Sequence, residues 1–185
     1  MKAKIGDCFL MHGSTIEEPM TLYLVKKIID EKIIALSVLI KKQMVQSWDP
    51  WDSINTYDND IPNEAVFLPK ETFDIVTKKK MDFLEEIWNY IETNLVENIS
   101  KTKIEVGKHY YNRGFIYTID SIGEERFKSQ VFRLERENIS PYWSGDDRIE
   151  CGEDYKLIKD GVYEEVKHRY DDFVQDLRKL LFTKE

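Results

Sequence analysis

The side chains that most often perform nucleophilic or acid–base chemistry are scarce in this chain. It has two cysteines, Cys8 and Cys151, and three histidines, His12, His109 and His168. A thiol beside an imidazole can form a nucleophile, and Cys8 and His109 occupy matching places in two similar stretches of sequence. No third group that would orient the imidazole can be named, and a buried cysteine usually serves as a small apolar filler. A thiol-dependent enzyme using Cys8 and His109 is therefore a remote alternative, and we predict no catalytic residue.

Metal ligation and carboxylate catalysis are not indicated either. No pair of histidines or cysteines has the spacing of a structural zinc site. Carboxylates that are adjacent in sequence, such as Glu85-Glu86 and Asp171-Asp172, diverge by about 100° on a helix and cannot converge on one bond. The glycines are scattered singly and form no phosphate-binding loop. We expect neither a metal nor a cofactor.

Two segments combine aromatic rings with negative charge. Residues 43–69 contain four aspartates, one glutamate and no lysine or arginine, and residues 138–154 are acidic with Arg148 as their single basic residue. We expect acidic, aromatic loops at 46–64 and 140–154. In the first segment, prolines argue against an interior helix and central strands.

These loops are the candidate binding surface. Rigid rings supply contact area and aspartates attract lysine or arginine. The predicted partner-binding residues are Trp48, Asp49, Trp51, Asp52, Tyr57, Asp58, Asp60, Tyr142, Trp143, Asp146 and Asp147. The alternative is that the tryptophans turn inward and the aspartates only keep the loops solvated.

The charge balance narrows the class of partner. The formal net charge is −8, and an acidic chain repels the phosphates that a nucleic-acid binder must neutralise. The longest apolar run, 33–40, is too short to cross a bilayer, and residues 1–7 carry no apolar signal region. We expect a cytoplasmic protein with reduced cysteines that binds a basic protein or peptide, and no nucleic acid or membrane. The oligomeric state stays open.

An internal near-repeat organises the chain. The stretch around Gly6 resembles the stretch around Gly107, and 22–33 lines up with 116–127, with Tyr23 matching Tyr117. Each copy continues with a second strand, 33–40 or 127–134, across a predicted hairpin turn at 30–31 or 123–125. The first copy has extra residues around 12–18, where insertions belong in a loop.

Each copy ends in an amphipathic helix. Apolar residues recur near helical spacing in both, at Phe73, Val76, Leu84, Ile87, Trp88, Ile91 and Leu95, and at Val162, Val166, Tyr170, Phe173, Leu177 and Leu180. Pro69 suits the first turn of one helix and Asp160 the N-cap of the other. The run Lys78-Lys79-Lys80 points in three directions and is interpreted as solubilising.

The predicted fold class is α+β. It has two similar modules, 1–97 and 98–185, each a small curved antiparallel sheet or partly open barrel followed by a C-terminal helix. The helix must cover an open face, because so short a sheet buries little by itself.

The opening Lys4-Ile5-Gly6-Asp7-Cys8-Phe9, followed by the strand 22–25, resembles the start of small Src-homology-3-like barrels. It is also similar to bacterial toxin-immunity proteins that begin with a Gly-Asp-x-Phe stretch. The second copy departs from this pattern, with Lys108 in place of the aspartate. The resemblance implies a non-catalytic, partner-binding role and assigns no functional residue.

The sequence thus favours a non-enzymatic binding protein, of which an immunity-type inhibitor is one form. It would capture a basic protein through electrostatic attraction followed by aromatic burial. An adaptor or structural module that binds a peptide in a barrel groove is the alternative.

Overall fold

The computed structural model describes residues 1–48, 56–58, 61–96, 104–148 and 155–182, without the side chains at 48, 56–58, 142–143 and 146–148. These residues form antiparallel strands and two helices, which confirms the α+β class. The chain divides by compactness into two units, Met1–Met81 with Asp172–Glu185, and Asp82–Asp171. The modules predicted at 1–97 and 98–185 are defined by repetition along the chain, so they stay a prediction.

The first unit holds an antiparallel sheet in the order β6-β1-β2-β3-β4, with β5 also paired to β3. Its strands are β1 (Cys8–His12), β2 (Met20–Ile29), β3 (Lys32–Lys41), β4 (Met44–Trp48), β5 (Thr56–Asp58) and β6 (Val66–Leu68). Asp30 and Glu31, both with positive φ, form the two-residue turn between β2 and β3, which confirms the predicted hairpin. Helix α1 (Glu71–Thr93) follows β6.

The sheet of the first unit buries side chains on both faces. One face carries a cluster in which the Phe9 and Tyr23 rings stack with centroids 4.9 Å apart, next to the buried Val25 and Ile33. On the opposite face, Leu24 is also buried. Both faces must therefore be covered by other parts of the chain.

The second unit has the order β11-β7-β8-β9-β10, again antiparallel. Its strands are β7 (His109–Asn112), β8 (Phe115–Ile122), β9 (Arg126–Leu134), β10 (Asn138–Arg148) and β11 (Lys156–Leu157), and helix α2 (Val162–Leu181) follows them. Ile122 of β8 pairs with Phe127 of β9, which confirms the second predicted hairpin. In both units the described strand order is open, since its first and last strands do not pair with each other.

Aromatic rings fill both sides of the second sheet. On one face, Tyr155 meets Phe127 edge-on with ring centroids 5.6 Å apart. On the other, the buried Tyr170 of α2 meets Phe132 of β9 edge-on at 5.5 Å, and Phe83 of α1 lies 6.4 Å from Tyr170. Edge-to-face pairs of this kind add to the hydrophobic stabilisation of a core.

The loops predicted at 46–64 and 140–154 are in part strands. β10 extends to Arg148 and β5 spans Thr56–Asp58, so those parts of the loop prediction are wrong. Pro141 is tolerated in β10 because the register shifts between Ser140 and Trp143. At such a bulge a residue need not donate to the ladder.

The apolar helix positions agree with the observed helices except at Leu95 and Leu180. Pro69 and Asp160 each lie two residues before the first residue of their helix, so the N-cap prediction for Asp160 is wrong. Leu95 lies beyond the end of α1, and Leu180 is exposed while Leu181 is buried. Lys80 is not solubilising: only 2% of it is exposed. It lies on the buried face because it is four residues from both Val76 and Leu84.

Neither helix within the described ranges is long and apolar enough to cross a membrane.

Gly6 and Gly107 are expected to be sensitive to substitution by alanine. Their φ values are +93° and +79°, and an added Cβ would meet nothing within 4 Å, so the cost is one of backbone conformation alone. We expect Gly6→Ala and Gly107→Ala each to lower the free energy of unfolding by about 1–2 kcal/mol in urea titrations. Gly6→Asn and Gly107→Asn should cost less, because asparagine tolerates this region. Equal stability of the alanine variants and the wild type would contradict the assignment.

Candidate functional site

The predicted binding residues are only partly covered by the described structure. Trp48 is the last residue of β4, Tyr57 and Asp58 lie in β5, and β10 contains Tyr142, Trp143, Asp146 and Asp147. Asp49, Trp51, Asp52 and Asp60 lie outside the described residues. Their joint role in binding stays a prediction.

The backbone register relates the two tryptophans. Trp48 lies opposite Ser37 of β3, and Trp143 lies opposite Val131 of β9. Ser37 comes four residues after Ile33, which faces Ile28 across the first hairpin. Likewise, Val131 comes four residues after Phe127, which faces Ile122 across the second. In each acidic segment, therefore, a tryptophan lies opposite the residue that comes four positions after Ile33 or Phe127 at the hairpin.

A buried lysine lies next to the first of these positions. The Lys80 ammonium of α1 donates a hydrogen bond of 2.7 Å to the Ser47 hydroxyl, one residue before Trp48. Burying a charge is costly unless hydrogen bonds and opposite charges compensate it. The hydrogen bond from Lys80 to Ser47 therefore fixes the position of the end of β4. The burial of Lys80 was not predicted from the sequence, although its helical spacing to Val76 and Leu84 indicates it.

The Cys8 thiol is a poor nucleophile in its surroundings. Burial raises the pKa of Cys8 to about 11, partly opposed by a hydrogen bond to the Phe73 backbone at the start of α1. The nearby carboxylates Asp74 and Glu71 raise this pKa further. Since the thiolate is the reactive form, Cys8 is better suited to packing than to catalysis.

His109 is held by neighbours within the second unit. Its Nδ1 lies 2.9 Å from the Thr118 hydroxyl, and its ring stacks on Tyr163 of α2 with centroids 4.4 Å apart. Burial lowers the pKa of His109; Glu164 and Asp160 raise it, which offsets part of this effect. The imidazole therefore joins β7 to β8 and packs against α2.

No set of three or more His, Cys, Asp or Glu side chains in the described ranges is grouped so that it could hold a metal ion.

Comparison of the chain with protein-family models, with curated proteins and with solved structures finds no match. The likeness to Src-homology-3-like barrels accordingly stays a prediction. The interpretation of the candidate site depends on the contacts within this chain.

Cys8 should react slowly with thiol reagents while the protein is folded. In a Cys151→Ser variant, a rise of the pKa from 9.0 to about 11 leaves about a hundredfold less thiolate at pH 8 than in the unfolded chain. We expect labelling by an aromatic disulfide reagent to be slower by at least that factor without urea than with it. Similar rates in the two conditions would show that Cys8 is accessible and ionised.

The lowered pKa of His109 predicts a loss of stability on acidification. As pH falls below the unfolded pKa near 6.5, the unfolded chain binds a proton that the folded chain resists, so the free energy of unfolding decreases. His109→Phe keeps a ring against Tyr163 and removes the titration, so its stability should fall less between pH 8 and pH 5. Thr118→Val keeps the buried imidazole and should retain the wild-type dependence. Identical profiles for His109→Phe and wild type would refute the assignment.

Proposed function

We propose that this chain is a non-enzymatic binding protein that captures a basic protein partner through its acidic aromatic segments. The observation that carries the proposal is the common register of Trp48 and Trp143 opposite Ser37 and Val131. The backbone of a residue on a paired strand is more restricted than that of a residue in a free loop, which lowers the entropy lost on binding.

We infer further that the chain consists of two copies of one module, 1–97 and 98–185, each a small curved antiparallel sheet or partly open barrel followed by a C-terminal helix. The opening turns support this inference. The Gly6 N–H donates to the Val25 carbonyl at 2.9 Å, and the Gly107 N–H donates to the Ile119 carbonyl at 2.8 Å. Both glycines have positive φ, so the same turn begins both sheets.

Irregularities in the strands support the same inference. In β2 the register shifts between Val25 and Lys27, and in β8 it shifts between Ile119 and Ser121. Val25 and Ile119 are also the residues that accept the hydrogen bonds of the two opening turns. Bulges are specific features of a strand pair, so their recurrence at matching positions favours common descent over coincidence.

The two clusters on the sheet faces also correspond in order along the chain. Ala3, Phe9, Val25 and Ile33 in the first cluster have Ile104, Tyr110, Ile119 and Phe127 as their counterparts in the second. A duplicated scaffold would present its Trp-containing acidic segment twice, so that a partner with two basic sites could be held more tightly than by either segment alone.

Charge supplies the physical mechanism of capture. With a net charge of −8, no lysine or arginine at 43–69 and one arginine at 138–154, the chain attracts a basic surface over several ångströms and accelerates encounter. Salt screens this attraction, with a Debye length of about 8 Å at physiological ionic strength. An immunity-type inhibitor of a basic toxin is the form of this function that the resemblance implies.

A peptide-binding adaptor is the second candidate function, and β8 supplies the observation in its favour. The half-exposed rings of Phe115 and Tyr117 have centroids 6.2 Å apart, and the Arg133 guanidinium lies 5.9 Å from the Phe115 ring centre. Such a surface would hold a peptide by apolar anchors, with weak dependence on salt. A thiol-dependent enzyme is disfavoured by the burial of Cys8.

The proposal is tested with a fluorescent nona-arginine peptide as the probe of a basic partner. Replacing Asp49, Asp52, Asp58 and Asp60 by asparagine removes four charges, each worth up to about 1 kcal/mol at an exposed site. We therefore expect affinity at low salt to fall about tenfold or more. Fluorescence anisotropy measures the affinity, and the wild type should lose most of it at high salt.

The matched control removes four other charges. Glu85, Glu124, Glu125 and Glu137 are exposed and lie outside the two acidic segments, and their replacement by glutamine should change affinity by less than about twofold. Equal losses in both variants would mean that net charge alone attracts the peptide, and the proposed site would be wrong. Binding by the wild type that persists at high salt would favour the adaptor.

A further inference from the structure

The second unit contains an open cleft of about 330 Å³ whose walls come from three elements. Glu92 of α1 lines one part of the cleft, Tyr111 and Asn112 of β7 another, and Lys156 of β11 lies beside them. Arg113, in the turn that follows β7, completes the lining. The volume is at the small end of the range for ligand pockets, so it suits a small ligand rather than a protein surface.

The turn holds the Arg113 backbone in place. Arg113 and Gly114 have φ values of +47° and +92° and connect Asn112 to Phe115, which pair across β7 and β8. The Leu134 N–H donates to the Gly114 carbonyl at 2.7 Å, and a Cβ on Gly114 would lie 3.1 Å from the Leu134 oxygen. The backbone beneath the arginine is therefore fixed from two sides.

Arginine is an unusual residue at this position. The first residue of such a turn is ordinarily Asn, Asp or Gly, because other residues are disfavoured at positive φ by about 1–2 kcal/mol. Strained residues of this kind concentrate at functional sites. The conformational cost suggests that the Arg113 side chain has a use beyond the turn itself.

The cations of the cleft lack partners in the part of the protein that the structure describes. Elsewhere in the second unit, Lys108 pairs with Asp160 at 3.2 Å and Arg169 pairs with Glu86 at 2.9 Å. In contrast, among the described residues neither Arg113 nor Lys156 makes an ion pair or a side-chain hydrogen bond. Two unpaired cations at one concave site favour an anion from outside.

Tyr111 and Asn112 of the cleft also favour an anion. Burial raises the pKa of Tyr111, helped by the nearby carboxylate of Glu92 and opposed by a hydrogen bond to the Gly114 backbone. The phenol therefore remains protonated at neutral pH and can donate a hydrogen bond, as can the Asn112 amide. Glu92 is the single carboxylate among the described residues of the lining and would repel an anion.

We propose that this cleft binds a small organic ligand through an oxyanion group, which Arg113 and Lys156 hold between them. The guanidinium fork and the ammonium are the side chains that bind carboxylate and phosphate groups most strongly. Tyr111 and Asn112 complete the set of donors, and Glu92 limits the affinity. The site is independent of the acidic segments, so it does not rest on the function proposed above.

The test is an NMR titration of the full chain with sodium phosphate and, separately, with sodium acetate at constant ionic strength. We expect saturable amide shifts at Asn112, Arg113, Gly114 and Lys156, and the stronger of the two titrants identifies the preferred oxyanion. Arg113→Gln with Lys156→Gln should weaken binding about tenfold or more. Glu92→Gln should strengthen it, because a repulsive charge is removed.

The control variant removes the same number of positive charges, but from exposed residues outside the cleft. Arg136→Gln with Lys42→Gln should leave the affinity within about twofold of wild type. An unchanged Leu134 amide signal verifies that the turn remains folded in each variant.

The proposal fails if neither titrant shifts these amides, or if the control variant loses as much affinity as the cleft variant. It also fails if Glu92→Gln weakens binding, because the cleft would then select a ligand with a cation at that wall.

Discussion

Burial of both faces of each sheet is the constraint on which the rest of this structure depends. On β2 the consecutive residues Leu24 and Val25 are 4% and 1% exposed, although they point to opposite faces. On β8, Ile116 and Ile119 are buried in the same way. A sheet with apolar side chains on both faces needs a covering layer on each. One layer in the second unit contains Tyr155, and the other contains Tyr170 of α2.

Two charged side chains are buried together with the apolar faces of the sheets. Lys80 and Arg178, 2% and 1% exposed, lie on helices and reach segments beside the strands. Arg178 Nη1 lies 3.2 Å from the Glu17 carboxylate and Nη2 donates to the Glu17 carbonyl, which holds the connection between β1 and β2. The Lys80 ammonium donates a hydrogen bond to the Ser47 hydroxyl, near the start of the first acidic segment. Buried cations on the helices thus bond to β4 and to the connection between β1 and β2.

Local patterns predicted much of the fold. Period-two strands, hairpin turns and helical spacing were readable because each depends on residues close together in the chain. Errors arose where a distant partner decides the outcome. A loop was predicted at 140–154, yet pairing with β9 extends β10 to Arg148, past Pro141 at a bulge. Leu180 and Leu181 both fit the helix, and only packing selects Leu181 for burial. The cleft at Arg113 was missed because Glu92 and Lys156 are far in sequence from residues 111–113, which they meet there.

The sequence by itself determined the α+β class, the two hairpins, the acidic aromatic segments and the absence of a zinc-ligand spacing, since all of these follow from composition and short-range order. Tertiary structure alone decided that Lys80 is buried, that His109 packs on Tyr163, and that Trp48 and Trp143 share a register. Those outcomes depend on strand pairing and helix packing between residues distant in the chain. Their physical reason is that burial and register are collective properties of a packed sheet, which no short stretch of sequence specifies.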